Sequence, residues 1–414
     1  MLDIYVNIKS LMGVRKTPVK FLKGAELDTI EAIDDAYLIV EDGIIKDYGK
    51  MAGFANIYGE RCGANTAVHD LSGRFVFPAF VDSHTHIVYP GSREQEYEDK
   101  IRGLSYAEIA KRGGGILNTA AKMHLTDEDT LFDMSMQHLQ QCIDGGTAAI
   151  EIKSGYGLST EDELKMLRVI RRMKECSPVT IKANFLAAHA FPTPYRDDHD
   201  GYVRLIIDEM LPIVAGEGLA DFIDVFCDEG FFTVSQTARI LEAGIKHGLK
   251  PKIHANELGL TGGVQVGVEY GALSVDHLEH VGDAECECLK SSKTIATALP
   301  GASFFLGMPY TPLRQMIDSG LAVALASDCN PGSSPSASMK FVLSLASINM
   351  RLTPVEALNA ATVNAAAAMD LAGTYGQISP GLKANFIITR PMPSFSYFSY
   401  SYTENLIEQV VINR

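Results

Sequence analysis

At 414 residues, 46% of them apolar and 21% charged, the chain can bury a sizeable core and has the balance of an ordered globular enzyme, which excludes long disordered segments. A formal charge of -15 argues against nucleic acid or an anionic membrane as the main partner. No run approaches the roughly 18 apolar residues of a membrane span, the opening MLDIYV does not read as a signal peptide, and seven scattered cysteines read as reduced thiols, so the expected location is cytoplasmic.

The chain opens on short strand-like runs at residues 2–8, 36–40 and 44–48, the last two joined across Asp42-Gly43, a pair suited to the positive φ of a tight hairpin. With no helix between them they are expected to form a small antiparallel unit. From residue 75 to about 370 the pattern changes to strand-like runs alternating with amphipathic segments of helix length. The runs are 75–83, 147–152, 179–187, 222–226, 251–254, 273–276, 294–298 and 322–327. Eight such strands separated by helices close into a (β/α)8 TIM barrel, whose chemistry sits at the C-terminal strand ends.

Thr160, with Glu163 three residues on, reads as a helix cap, and 233–248 reads as an amphipathic helix with a terminal glycine. Residues 336–350 and 354–369 read as two more helices, and Cys286-Glu287-Cys288 as surface thiols on another. After Gly373 short strands return at 385–389 and 406–412, flanking an aromatic, Ser-rich loop at 394–402. The expected organisation is therefore an α/β chain: a barrel over 75–372 inserted into a small β-sandwich-like domain made from 1–74 plus 373–414.

The first barrel run delivers His84 and His86, which on a strand face the same side. The third ends in His189, the fifth in His254 with Glu257 following, the sixth in His277, and the eighth in Asp328-Cys329-Asn330-Pro331-Gly332-Ser333. A buried aspartate among several histidines is costly unless they share a cation. The arrangement points to a mononuclear site with His84, His86, His254 and Asp328 as ligands and one position left for water. Such an ion acidifies its water from about 15.7 toward roughly 7, Asp328 can take the proton, and His277 can orient the nucleophile or relay a proton.

These residues resemble the amidohydrolase superfamily, carried by VDSHTHIVYPGSREQE, YAEIAKRGGGILNT, EIKSGYGL, NFLAAHAFP, KIHANELG, VDHLEH, ALPGASFFLG and ASDCNPGSSPS. Within it the resemblance is to the branch that hydrolyses 4-imidazolone-5-propanoate to N-formimidoyl-L-glutamate in histidine breakdown, and it covers nearly the whole chain. It implies substrate contacts at Arg93, Tyr156, His189, Asn330, Gly332 and Ser333, a proton-passing and ring-holding role for Glu257, one divalent ion (zinc or iron), and a homodimer. A carboxylate-bearing cyclic amide asks for a cation at its tail, and Arg93 can supply a bidentate clamp. Gly113-Gly114-Gly115 is expected to permit a tight loop over the pocket. The nearest rival, an aminohydrolase of the same barrel, has no need of Arg93. A two-metal enzyme needs a bridging carboxylated lysine where this chain has Phe226-Cys227-Asp228-Glu229.

Overall fold

The computed structural model describes residues 1–58, 66–104 and 114–413. Cys62, Gly113 and the stretch 106–112 of the quoted segments lie outside the described residues. The strands, in chain order, are β1 (Leu2–Met12), β2 (Ala32–Glu41), β3 (Ile44–Lys50), β4 (Thr66–Asp70), β5 (Phe75–Pro78), β6 (Phe80–Asp82), β7 (Thr147–Lys153), β8 (Thr180–Ala188), β9 (Phe222–Cys227), β10 (Lys250–Pro251), β11 (Ile253–Ala255), β12 (Ser274–His277), β13 (Ile295–Ala298), β14 (Val323–Leu325), β15 (Phe386–Thr389) and β16 (Ile407–Val411).

Two sheets divide them. Strands β6, β7, β8, β9, β11, β12, β13 and β14 pair in parallel in that order, with β10 beside β9. Every residue of β7 and β9 is buried, as strands covered on both faces require. The barrel is drawn together just beyond β6 and β14, where the Asp328 N–H donates to the His84 carbonyl at 3.0 Å and the His86 N–H to the Cys329 carbonyl at 2.9 Å. The closing seam is thus built from the residues expected to bind metal.

The second sheet runs β16-β15-β5-β1-β2-β3, with β4 also on β1, and so joins both ends of the chain. The hairpin turn between β2 and β3 has φ of 49° at Asp42 and 76° at Gly43. The sheet is mixed and not purely antiparallel, because both β4 and β5 return to the same edge of the long β1 in parallel. The apolar run 75–83, expected as one strand, is two: β5 belongs to the terminal sheet and β6 to the barrel, with Ala79 between them. An unbroken apolar run cannot reveal this, since both halves are buried for different partners.

The expected loop at 394–402 contains a short helix, Ser396–Tyr400, because its aromatic residues have a core to fill. Phe398 packs 5.2 Å from Phe77 of β5 and 6.4 Å from Phe80 of β6, plugging the joint between the sheets. The helix Thr160–Cys176 is capped by Ser159 and not by Thr160, its hydroxyl accepting from the Asp162 N–H at 3.2 Å. Ser159 has the extended backbone a cap needs, whereas Thr160 already lies inside the first turn and donates to Glu209. Cys286 lies on the helix Asp283–Lys290 as expected, but it is buried in the core rather than at the surface. Among the described residues no helix is long and apolar enough to cross a membrane.

Candidate active site

The strand ends deliver their side chains to one rim. His84 and His86 follow β6, Tyr156 follows β7, His189 follows β8, His254 lies on β11, His277 ends β12, and Asp328 follows β14. Asn256, His277, Leu278 and Asp328 all hold positive φ, a conformation retained at a cost when the surrounding structure demands it.

One donor atom from each of His84, His86 and His254 falls within 4.8 Å of the others, and all three residues are buried. The Nε2 atoms of His84 and His86 are 3.4 Å apart, and each lies 3.6 Å from Oδ1 of Asp328. The orientation is imposed from behind. His84 Nδ1–H donates to Asp276 at 2.7 Å and His254 Nδ1–H donates to Asp224 at 3.0 Å, since carboxylates only accept. That tautomer leaves the Nε2 lone pairs of both rings facing the cluster, and His254 Nε2 has no hydrogen-bond partner among the described residues. Burial holds His84, His86 and His254 below their ordinary values, so all three are neutral at pH 7.

Converging neutral nitrogens beside a carboxylate repel one another unless a cation lies between them. Separations of 3.4 to 3.6 Å suit atoms sharing one ion at about 2.0–2.1 Å. The three histidines therefore fit a divalent metal ion, which they are able to hold.

Beneath this cluster lies a layer that sequence reasoning missed. Lys153, Lys252, Glu151, Asp224 and Asp276 are all fully buried inside the barrel. Lys153 pairs with Glu151 and, at 2.7 Å, with Asp224, and Lys252 pairs with Glu151 and donates to the Ser83 carbonyl at 2.8 Å. Both ammonium groups also approach Asp276, at 3.9 and 3.6 Å. The two carboxylates that orient His84 and His254 are thus themselves held by buried cations, as second partners of metal ligands commonly are. A signal was present: charged residues at every second position of otherwise apolar strands, as in Glu151-Ile152-Lys153.

Above the cluster opens a cavity of about 450 Å³. Its wall includes Arg93, Tyr156, His189, Glu257, His277, Asn330, Gly332 and Ser333, so the structure brings every expected contact to one place. It also includes Tyr97, Lys100, Phe226, Phe231 and Phe305, to which the sequence assigned no role. Tyr97 stacks on Phe305 at 5.5 Å and Lys100 donates to the Phe305 carbonyl, joining the helices Glu94–Ile101 and Pro300–Leu306 across the mouth. Gly115 lines the same cavity with φ of 80°.

Arg93 donates from Nε to Thr119 at 2.8 Å and lies over the Tyr156 ring at 5.5 Å, while its Nη2 is enclosed with no partner among the described residues. The approach is close: a Cβ on Gly332 would come within 2.2 Å of Arg93 Nη1. Asn330 turns both polar groups into its own loop, accepting from the Gly332 and Ser333 N–H groups at 2.8 Å and donating to the Asp328 carbonyl at 2.7 Å. Ser333 donates to Asp328 Oδ2 at 3.2 Å, which leaves Oδ1 for the histidines.

His277 lies 3.6 Å from Glu257 and 3.5 Å from Glu279. Burial opposes its charge, but the two glutamates outweigh burial and raise it to about 10. Burial pushes Glu257 up to about 7 against the pull of His277, and pushes Asp328 up to about 6. Burial takes His189 down to about 3, so its imidazole is neutral. The rim thus combines acceptors, a cation and carboxyl groups that exchange protons near neutrality.

An amidohydrolase family model matches residues 75–412. The chain is 49% identical over 413 residues to an imidazolonepropionase of Flavobacterium johnsoniae, covering 100% of this chain and 99% of that one. It is 40% identical over 407 residues to an imidazolonepropionase of Brevibacillus brevis, covering 98% and 95%. Among solved structures, E. coli guanine deaminase is similar with a TM-score of 0.74 at 15% identity, covering 100% of this chain and 97% of that one. A triazine hydrolase from Arthobacter aurescens is similar with a TM-score of 0.72 at 13% identity, covering 100% and 93%. At such identities the solved structures speak for the fold alone.

Proposed function

The chain belongs to the amidohydrolase family and, within it, to the imidazolonepropionases, and from that premise we propose that it hydrolyses 4-imidazolone-5-propanoate to N-formimidoyl-L-glutamate. The observation that carries the substrate is the Arg93 guanidinium on the cavity wall, whose Nη2 is enclosed with no partner among the described residues. An enclosed guanidinium nitrogen with no partner is costly, and the propanoate carboxylate supplies one.

His84, His86, His254 and Asp328 would hold one ion, zinc or iron, for which this donor set serves equally. When bound, such an ion acidifies a water toward neutrality and polarises the ring carbonyl. The residues of the chain do the rest. Arg93 anchors the tail over the face of Tyr156, and His189 and Glu257 hold the ring between them. Asp328 takes the proton of the attacking water as the carbonyl carbon gains oxygen. Glu257, poised near 7, delivers a proton to the departing ring nitrogen as the carbon–nitrogen bond breaks. His277, cationic between Glu257 and Glu279, orients the attacking water and returns protons to Glu257.

We further place the enzyme in the cytoplasm, which suits the six described cysteines, all free thiols. We also read it as a homodimer, supported by Phe304, Ile348 and Tyr400 exposed on the adjoining helices Pro300–Leu306, Met339–Met350 and Ser396–Tyr400. Sedimentation velocity reads that state directly.

Product analysis tests the activity. The purified enzyme given 4-imidazolone-5-propanoate should consume its absorbance and yield N-formimidoyl-L-glutamate without ammonia. Inertness toward this compound, with ammonia released from another heterocycle, would overturn the assignment.

A further inference from the structure

Glu163 takes no part in the chemistry described, yet its carboxylate is fully buried in the first turn of the helix Thr160–Cys176. It points away from its own helix into the turn that follows β7. There it accepts from the Gly157 N–H at 2.7 Å, the Leu158 N–H at 3.0 Å and the Gly155 N–H at 3.1 Å. The Ser154 hydroxyl is a further donor to it and accepts in turn from the Leu186 N–H of β8 at 3.0 Å. Burial pushes this carboxyl above its ordinary value against the pull of these donors, and so many N–H groups converging on one side chain make it a strong local organiser.

The turn it organises is tightly specified. Gly155 has φ of 104°, and a Cβ there would come within 2.8 Å of the Leu186 carbonyl. A Cβ on Gly157 would come within 2.3 Å of the Glu163 backbone nitrogen. Leu158 holds φ of 55° without a glycine's freedom. Two groups of the cavity depend on the path of this turn. Tyr156, at its centre, lies 5.4 Å ring to ring from His189 and under Arg93. The Gly155 carbonyl accepts from His189 Nδ1–H at 3.0 Å.

We propose that Glu163 is a positioning residue for substrate recognition: through the 154–158 turn it sets the Tyr156 ring and fixes His189 as the Nδ1–H tautomer. His189 then presents the Nε2 lone pair to the cavity, an acceptor that selects a heterocycle carrying a ring N–H. The selection step rests on the proposed function, whereas the positioning of His189 stands without it.

The experiment uses the metal-loaded full chain, 15N-labelled at histidine, with His189 resonances assigned through a His189→Gln variant. Long-range 15N spectra of the unmodified enzyme should show His189 as the Nδ1–H tautomer, and an Nε2–H tautomer overturns the proposal even if no variant folds. Glu163→Gln keeps the size but sets an amide N–H against the Gly155 N–H. It should shift His189 to a tautomer mixture and raise KM for 4-imidazolone-5-propanoate about tenfold or more, with metal content unchanged and kcat within about threefold. An unaltered His189 spectrum in Glu163→Gln overturns the proposal. A shifted spectrum supports the positioning. If His189→Gln then leaves KM unchanged, it is the substrate contact at His189 that fails, and with it the selection step.

Discussion

His84 Nδ1 lies 2.7 Å from Asp276 Oδ2 inside the barrel, and this one contact turns the opposite ring nitrogen toward His86 and Asp328. His254 repeats the arrangement with Asp224 at 3.0 Å. Both aspartates are within reach of Lys153, which burial opposes as a cation but which Asp224, Glu151 and Asp276 keep well above its ordinary value. A neutral Lys153 would leave two carboxylates buried against each other. The ammonium therefore acts on metal retention at one remove.

Replacing Lys153 by Met should weaken metal binding about 10- to 100-fold, the usual consequence of disturbing a partner of a metal ligand. It should also cost roughly 3–5 kcal/mol of stability, because it breaks a buried ion pair from one side. Competition with a chelator reads the first and denaturant unfolding the second. Unchanged metal affinity in a folded variant would show that the aspartates hold their histidines without the lysine.

Arg93→Met separates the tail clamp from the metal. KM for 4-imidazolone-5-propanoate should rise at least about tenfold, the worth of a charge-assisted hydrogen bond, with metal content unchanged. A variant of unaltered KM would remove Arg93 from the tail site, and one that loses its metal would make the residue structural.

Far from the site, Asp221 links β8 and β9. Burial pushes its carboxyl up, but the Ala183 N–H at 3.0 Å together with Lys174 and Lys182 outweighs burial and sets it below its ordinary value. A depressed value in the folded state stabilises the protein fully above the unfolded value, about 3.9, and that contribution is lost as pH falls through the folded value. Asp221→Asn should therefore be less stable by about 1–3 kcal/mol at pH 7, and the gap in Tm should close as pH falls below about 4. A gap independent of pH would assign the loss to packing.

The metal cluster was legible because its signal is local: His84 and His86 share one strand end, and His254 and Asp328 stand at ends of their own runs. The sheet change at Ala79 was not, since Phe77 and Phe80 are apolar for different partners and a run of letters does not name the partner. The Ser159 cap was missed by one residue because Thr160 and Glu163 imitate a capping box, while the Glu163 carboxylate in fact serves the preceding turn. Tyr97 and Phe305 come from short helices far apart in sequence, and their meeting over the cavity is purely tertiary. Lys153 and Asp224 were readable in principle as lone charges within apolar strands, but only the barrel shows that their faces coincide.

The central claim, that one ion held by His84, His86 and His254 serves a hydrolase for this substrate, is tested most directly by titrating the metal-stripped enzyme with zinc or iron while following imidazolone absorbance. Turnover should be absent at the start and rise in proportion to the ion until one is bound per chain, with N-formimidoyl-L-glutamate as product. Full turnover by the stripped protein, or a rise that continues to two ions per chain, would contradict it.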